Sequence, residues 1–381
     1  MRGKLDLRDL RILEGLGIYG PRNITEVARK LGMSPETVRK RIKRMPSRIF
    51  FKFHTNIYCT NLGLKKAVVI AETIPGYEDL LFNCLRANDF WIYLTRCYGI
   101  NEGCVAVYTV PNNHCIDFVQ FIRSLAKTGV ARNVQILWST CFQSVNAKTK
   151  WFDEQSKTWV LSWDKWVEEI STKDTQLPYT LIDPNDYPIK ADEIDVFVLK
   201  ELEKNPTISL SDLSRVLGVS QQVVEYHYRK HVLERDLIEN FDVSTFHFDM
   251  TVSDMFIFIL RFDSMEKCAK FAASLLDKPF VSGLGKILDE NALIVDIYLP
   301  RLDFRGFIDT LSKLVRMGLL HGYNYIILDI RKVKRQTISY EYFKDGSWVY
   351  NHKKHLQNLK ELGEQAKNGE GLAIFSQPYR V

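Results

Sequence analysis

No apolar run in the 381 residues approaches the roughly 18 needed to cross a bilayer. The opening stretch, MRGKLDLRDL, lacks the apolar centre of a secretory signal, so the chain reads as cytoplasmic. Cysteine is sparse: Cys59, Cys84, Cys97, Cys104, Cys115, Cys141 and Cys268 form no Cys-x-x-Cys pair and no zinc-type Cys/His spacing. That excludes a disulfide scaffold and leaves small core thiols in a reducing compartment. A glycine-rich phosphate loop and a nucleophile–base pair are also missing, so no cofactor is called for and catalysis is disfavoured. Charge of one sign is scarce too, with a formal excess of only +6. It is concentrated: Arg39, Lys40, Arg41, Lys43, Arg44, Arg48 and Lys52 stand against the single acid Glu36 between Ser34 and Lys52. One local positive field on an otherwise balanced chain points to a polyanionic partner.

The stretch carrying that charge, ITEVARKLGMSPETVRKRIKR (24–44), has the order helix, tight turn, helix. Ile24, Val27, Ala28 and Leu31 recur at helical spacing, Gly32 supplies a left-handed stop, and Ser34-Pro35 caps and starts the next helix. With Val38, Ile42 and Met45 inward, Glu36, Lys40, Lys43 and Arg44 face outward, with Thr37, Arg39 and Arg41 on the flanks. Leu7, Leu10, Leu13 and Leu16, with Ile12, form a first amphipathic helix beneath the pair. Ile49, Phe51 and Phe53 alternate with Phe50 and Lys52 as a wing strand.

From Gly63 the pattern becomes strand, helix, two strands around Gly99-Ile100-Asn101-Glu102-Gly103, helix, strand. Right-handed crossovers turn that βαββαβ order into a four-stranded antiparallel sheet with both helices on one face, the ferredoxin-like arrangement. The whole order then repeats. Adding 186 carries Asp9 onto Asp195, Leu13 onto Leu199, Leu16 onto Leu202, Leu31 onto Leu217, Gly32 onto Gly218, Ser34 onto Ser220 and Val38 onto Val224 without a gap. A second βαββαβ pattern follows.

The appendages repeat as well. Trp151-Phe152 and Trp159-Val160 follow the first unit, Tyr342-Phe343 and Trp348-Val349 the second, each leading into a helix. These aromatics are read as structural, anchoring a hairpin and a helix to the exposed sheet face. The fold class is therefore α+β, two copies of a winged helix-turn-helix head and a ferredoxin-like domain. The expected domains are head 1 (1–60), ferredoxin-like domain 1 (61–145), appendage and linker (146–191), head 2 (192–248), ferredoxin-like domain 2 (249–335), and appendage, helix and tail (336–381). Residues 171–191, rich in Pro, Asp and Thr, read as the linker, and the stretch beyond Glu364 as a loose polar tail.

LGMSPETVRKRIKRM and LGVSQQVVEYHYRKHVLERDLI resemble the turn and recognition-helix signature of the Lrp/AsnC family of transcription regulators, over roughly residues 5–140 and 192–330. The resemblance implies DNA binding through the heads, pairing of the ferredoxin-like units, here within one chain as a pseudo-dimer, and often a small effector such as an amino acid. The family's Gly-x-x-Asp between the second and third strands is Gly99-Ile100-Asn101-Glu102 here, making Gly99 and Glu102 the effector-contact candidates. The second copy departs further, as Gly285-Lys286-Ile287-Leu288-Asp289, and Pro46-Ser47-Arg48 replaces the usual glycine before the wing.

The expected function is sequence-specific recognition of double-stranded DNA by a regulator associated with the nucleoid. Ser34, Glu36, Thr37, Arg39, Lys40, Arg41, Lys43 and Arg44 are the contacts in the first head, and Gln222, Tyr226, Arg229 and Lys230 in the second. In the second head Arg229, Lys230 and Arg235 are cancelled by Glu225, Glu234 and Asp236, so the first head should dominate affinity. His227 and His231 have metal-ligand spacing but no visible third ligand, and read as surface histidines. Two alternatives stay open: an architectural chromatin protein, and a tetrapyrrole enzyme, since sirohaem decarboxylases have a similar architecture. The enzyme would draw on Arg96, His114 and His321. Further self-association of the pseudo-dimer also stays open.

Overall fold

The computed structural model describes residues 5–47, 50–99, 102–145, 148–173 and 175–367. Arg48, Ile49, Ile100, Asn101 and the tail from residue 368 lie outside them. The chain begins with helices α1 (Leu7–Tyr19), α2 (Ile24–Leu31) and α3 (Pro35–Arg44) and strand β1 (Phe51–Ile57). The first βαββαβ unit is β2 (Leu64–Thr73), α4 (Glu78–Arg86), β3 (Trp91–Tyr98), β4 (Gly103–Pro111), α5 (Cys115–Lys127) and β5 (Ala131–Ser139). Its appendage is β6 (Gln143–Ser144), the hairpin β7 (Phe152–Asp153) and β8 (Thr158–Trp159), and α6 (Trp163–Thr172). The second head has α7 (Glu193–Lys204), α8 (Leu210–Leu217), α9 (Gln221–Tyr226) running into a π-helical turn (His227–Leu233), and β9 (Ile238–Thr245). The second unit is β10 (Ser253–Arg261), α10 (Met265–Leu275), β11 (Val281–Lys286), β12 (Ala292–Pro300), α11 (Arg301–Arg316) and β13 (Gly322–Leu328). Last come β14 (Lys334–Arg335), the hairpin β15 (Phe343–Lys344) and β16 (Ser347–Trp348), and α12 (His352–Lys367).

These elements assemble into two compact units that do not follow the repeat. One comprises residues 1–58, 140–184 and 194–325, the other 59–139, 185–193 and 326–381.

The first unit holds both heads and most of the second ferredoxin-like domain. Leu10, Ile12, Leu16, Val27, Ala28, Val38 and Met45 close the core of head 1, with Ile42 partly buried against it. Gly32 takes the left-handed conformation (φ 62°) that ends α2, and its counterpart Gly218 (φ 68°) ends α8. The wing strand lays Phe51 and Phe53 against the core of its own head, but its strand partner lies elsewhere. β1 pairs antiparallel with β9, its equivalent in the repeat, and Thr55 lies opposite Phe241, its own counterpart. Strands with a bare edge seek a partner, and the duplicated strand supplies one of matching length and pattern. The joint is reinforced by Thr55 Oγ1 donating to Leu202 O (2.8 Å), by Asn56 Nδ2 donating to Asn240 Oδ1 (2.6 Å), and by Arg22, which donates to Pro206 O (3.2 Å) and Ile208 O beneath the Tyr228 ring.

In the same unit the second sheet runs β13-β10-β12-β11, the ferredoxin-like order, and β6 extends it beyond β11. The appendage of the first repeat packs here, on the helices of the second repeat. Trp166 on α6 is 1% exposed and lies against Phe271, Phe280 and Phe307, and its Nε1 donates to Ser274 Oγ (3.0 Å). An added Cβ at Gly306 on α11 would come within 2.8 Å of Trp163 Nε1, so the helix pair is as close as a glycine permits. Docking on the exposed sheet face is therefore corrected: Trp163 and Trp166 fill a groove between α10 and α11, while Phe152 and Trp159 of the hairpin pack against head 1. Indole rings bury more apolar area in a helix groove than flat against a sheet with a polar outer face.

The second unit shows the converse. Its sheet order is β5-β2-β4-β3, with β3 also paired to Ile327 and Leu328 and to β14. On its helix side lies α12, from the second repeat, against α4 and α5. Phe90 is surrounded by Tyr342, Trp348, Tyr350 and His355. Asp89 accepts from Tyr342 OH (2.7 Å), Lys354 Nζ (3.1 Å) and His355 Nε2 (3.2 Å). Burial alone would raise its pKa, but those three donors outweigh burial and hold the carboxyl below its usual range. A depressed native pKa makes the stabilisation complete above the unfolded value of about 3.9 and lost as pH falls through the native one. Asp89→Asn should cost about 1.5–3 kcal/mol in urea unfolding at neutral pH. The gap from wild type should narrow in strong acid, and a pH-independent gap would contradict this account.

The stretch read as a linker is structured. Leu181 is fully buried. Asp183 takes both carboxylate oxygens to Lys286 Nζ (2.7 Å each) and accepts from Asp289 N (3.3 Å). The glycine turn that departs most from the family pattern is thus closed by the chain's own Asp183.

Candidate nucleic-acid interface

Ser34 caps α3, accepting from Thr37 N (3.2 Å), and Pro35 occupies the first helical position, where a missing N–H costs nothing. Val38 and Met45 are buried, and this fixes the helix rotation. Glu36, Thr37, Arg39, Lys40, Lys43 and Arg44 are exposed as the periodicity predicts. Lys40 reaches Glu36 (2.7 Å), but both side chains are about two-thirds exposed or more, and such a pair is weak enough to yield to a phosphate.

Arg41 departs from expectation. It turns inward onto Asp9 (2.6 Å), which is 2% exposed, and onto Asp6 (2.9 Å), the capping residue of α1. These hydrogen bonds raise its pKa. A buried carboxylate needs a cation, and Asp9 takes the nearest one from the recognition helix. Arg41→Ala should destabilise head 1 by about 3–5 kcal/mol, because it leaves that carboxylate without its arginine. Arg39→Ala should change stability by less than about 0.5 kcal/mol. Thermal unfolding of the two variants checks the difference, and equal effects would place Arg41 with the surface residues.

In the second head Ser220 caps α9, accepting from Val223 N (3.3 Å), and Val224 is buried. Gln222 and Tyr226 are exposed. Arg229 pairs with Glu225 (2.9 Å) and Lys230 with Glu234 (2.7 Å), so each cation carries its own acid. The reading of His227 and His231 as surface residues is corrected, since they are 9% and 8% exposed. Their Nδ1 atoms lie 2.8 and 3.1 Å from Asp195 Oδ1, on a carboxylate that is fully buried. Asp195 is the repeat counterpart of Asp9 and His227 that of Arg41, so the signal was present in the repeat.

Gly99 and Glu102 are exposed at the turn between β3 and β4. Arg96 pairs with Asp79, His114 with Asp117 (2.9 Å) and His321 with Asp263 (2.7 Å), each bound locally to an acid.

An AsnC-type helix-turn-helix domain matches residues 5–45, and a winged helix-turn-helix DNA-binding domain matches residues 192–230. The HTH-type transcriptional regulator Ptr1 of Methanocaldococcus jannaschii is 32% identical over 110 residues, 28% of this chain and 72% of that protein. The crystal structure of the siroheme decarboxylase NirDL superposes with a TM-score of 0.55 over 94% of this chain and 99% of that one, at 11% identity, which shows a shared fold alone. No described helix is long and apolar enough to cross a membrane. With the head sequence, its capping geometry and the duplicated βαββαβ units in agreement, the chain belongs to the Lrp/AsnC family of helix-turn-helix regulators.

Proposed function

We propose that the protein is a sequence-specific double-stranded DNA-binding transcriptional regulator, not an enzyme, that acts as an intrachain pseudo-dimer and grips DNA mainly through its first head. The observation that carries this reading is the outer face of α3, where Arg39, Lys40, Lys43 and Arg44 are exposed over a buried Val38 and Met45. Those cations neutralise phosphates, while Glu36, Thr37 and Lys40 lie near the helix start, where side chains reach base edges. Arg41 braces the helix from below. In the second head Gln222 and Tyr226 read bases, and Arg229 and Lys230 add a weaker phosphate grip because Glu225 and Glu234 offset them. The antiparallel β1–β9 joint supports the pseudo-dimer, since it sets the heads side by side as two chains of a dimer would be. A small effector at Gly99 and Glu102 belongs to the same reading, and flat calorimetric titrations with amino acids would remove it.

With about four phosphates engaged, log affinity should fall against log salt with a slope near −4, and Arg39→Ala should reduce that slope by about 1. An affinity indifferent to salt would sink the proposal. The genomic footprint separates a regulator, with discrete peaks, from an architectural chromatin protein, with uniform coverage. The enzymatic alternative rests on the shared fold with NirDL, and a visible tetrapyrrole band in purified protein would favour it.

A further inference from the structure

The two heads satisfy the same buried acid in different ways. Asp9 in head 1 meets Arg41, a permanent cation (2.6 Å). Asp195 in head 2 meets His227, at the equivalent position, and His231, whose counterpart is Met45. Arg235 stands 3.9 Å from Asp195 Oδ2 with 40% of its side chain exposed. Two imidazoles have thus replaced a guanidinium around a fully buried carboxylate.

We propose that Asp195, His227 and His231 bind a divalent first-row transition-metal ion of the Zn²⁺ type. Their ligand atoms lie within 4.8 Å of one another. The Nδ1 atoms of His227 and His231 are 2.8 and 3.1 Å from Asp195 Oδ1. A tetrahedral ion with bonds of about 2.0 Å separates its ligands by about 3.3 Å, so each histidine–carboxylate pair needs to open by only a few tenths of an ångström. The ion would sit between the same atoms, any proton on Nδ1 passing to Nε2 or to solvent. Two imidazole nitrogens and one carboxylate oxygen suit Zn²⁺, Co²⁺ or Ni²⁺ and disfavour Mg²⁺ and Ca²⁺, which want oxygen cages. The π-helical turn carrying both histidines fits the pattern that such turns recur at functional sites. A bound ion would tie the recognition helix of head 2 to α7 as Arg41 ties that of head 1 to α1. This inference does not depend on what DNA the heads read.

The test uses the untagged full chain, stripped with chelator and titrated with Co²⁺ alone. Tetrahedral cobalt absorbs visibly, and calorimetry gives the stoichiometry. One Co²⁺ per chain is expected, displaced by Zn²⁺ and not by Mg²⁺. His227→Arg combined with His231→Met restores the pair found in head 1, so the variant should stay folded by circular dichroism while Co²⁺ affinity falls at least about tenfold. His321→Ala, which alters an exposed histidine elsewhere, should leave uptake unchanged. No Co²⁺ uptake by the wild-type chain would overturn the proposal and leave the histidines as a brace for Asp195. Equal uptake by the double variant would overturn it too.

Discussion

Reversing Lys40 and Arg44 together to glutamate should lower affinity for the selected duplex about a hundredfold or more, whereas reversing Arg229 and Lys230 should lower it by less than about tenfold. The first pair changes four units of charge on a face where Glu36 is the only acid between Ser34 and Lys52. At about 1 kcal/mol per unit at contact distance in a water-like dielectric, that amounts to at least two powers of ten. In the second head Arg229 and Lys230 already stand beside Glu225 and Glu234. With Asp236 against Arg235, residues 220–238 sum to no net charge, whereas residues 34–52 carry seven basic residues against one acid, so the second head has less attraction for phosphate to lose. The losses are read from titrations at one fixed salt concentration, with circular dichroism confirming that both variants remain folded. The selected site should also be asymmetric, because Gln222 and Tyr226 replace Glu36 and Lys40, the residues proposed to read bases. Equal losses from the two variants on a palindromic site would show the heads to be functionally interchangeable.

Trp166→Ala should be the most destabilising single substitution away from the heads, at about 3–5 kcal/mol. The indole stacks on Phe307 (5.9 Å, 7°) and meets Phe271 and Phe280 edge-on at 5.5 and 5.4 Å. Truncation would leave a cavity walled by rigid rings that cannot collapse into it. Trp166→Phe keeps much of the packing but removes the donor to Ser274 Oγ (3.0 Å), and should cost about half as much. Denaturant midpoints of the two variants, with unchanged m-values, check both figures. A Trp166→Ala variant within about 1 kcal/mol of wild type would mean that α6 contributes little to the unit it packs on.

Much of the fold was legible from local chemistry. The Ser34 cap, the left-handed Gly32 and Gly218, the inward Val38 and the order of both βαββαβ units follow from periodicity and capping, which neighbouring residues decide among themselves. What was illegible lay in choice of partner. An apolar stripe on α6 or α12 announces that something covers it and is silent about what does. Two equivalent helices can dock on their own repeat or exchange, and the side-chain pattern is identical either way. The pairing of β1 with β9 was hidden for the same reason, since a wing and an inter-head ribbon use the same alternating strand. The inward turn of Arg41 had a trace in the repeat, because Asp9 recurs as Asp195 while its arginine becomes His227. Its meaning depends on the acid being buried, which spacing alone does not reveal.

The exchange of appendage helices bears on how the protein is made. The helix layer formed by α4 and α5 is complete only when α12 covers it, and at Gly363 an added Cβ would sit 3.2 Å from Thr128 Cβ, so the fit is close. Roughly 230 residues separate α5 from α12, which at a ribosomal pace of about 5–20 residues per second is about 10–50 s of waiting. Through that interval the nascent first ferredoxin-like unit carries an apolar groove around Phe90 that its final cover, α12, has not yet reached, which makes it a natural client for a chaperone that shields emerging chains.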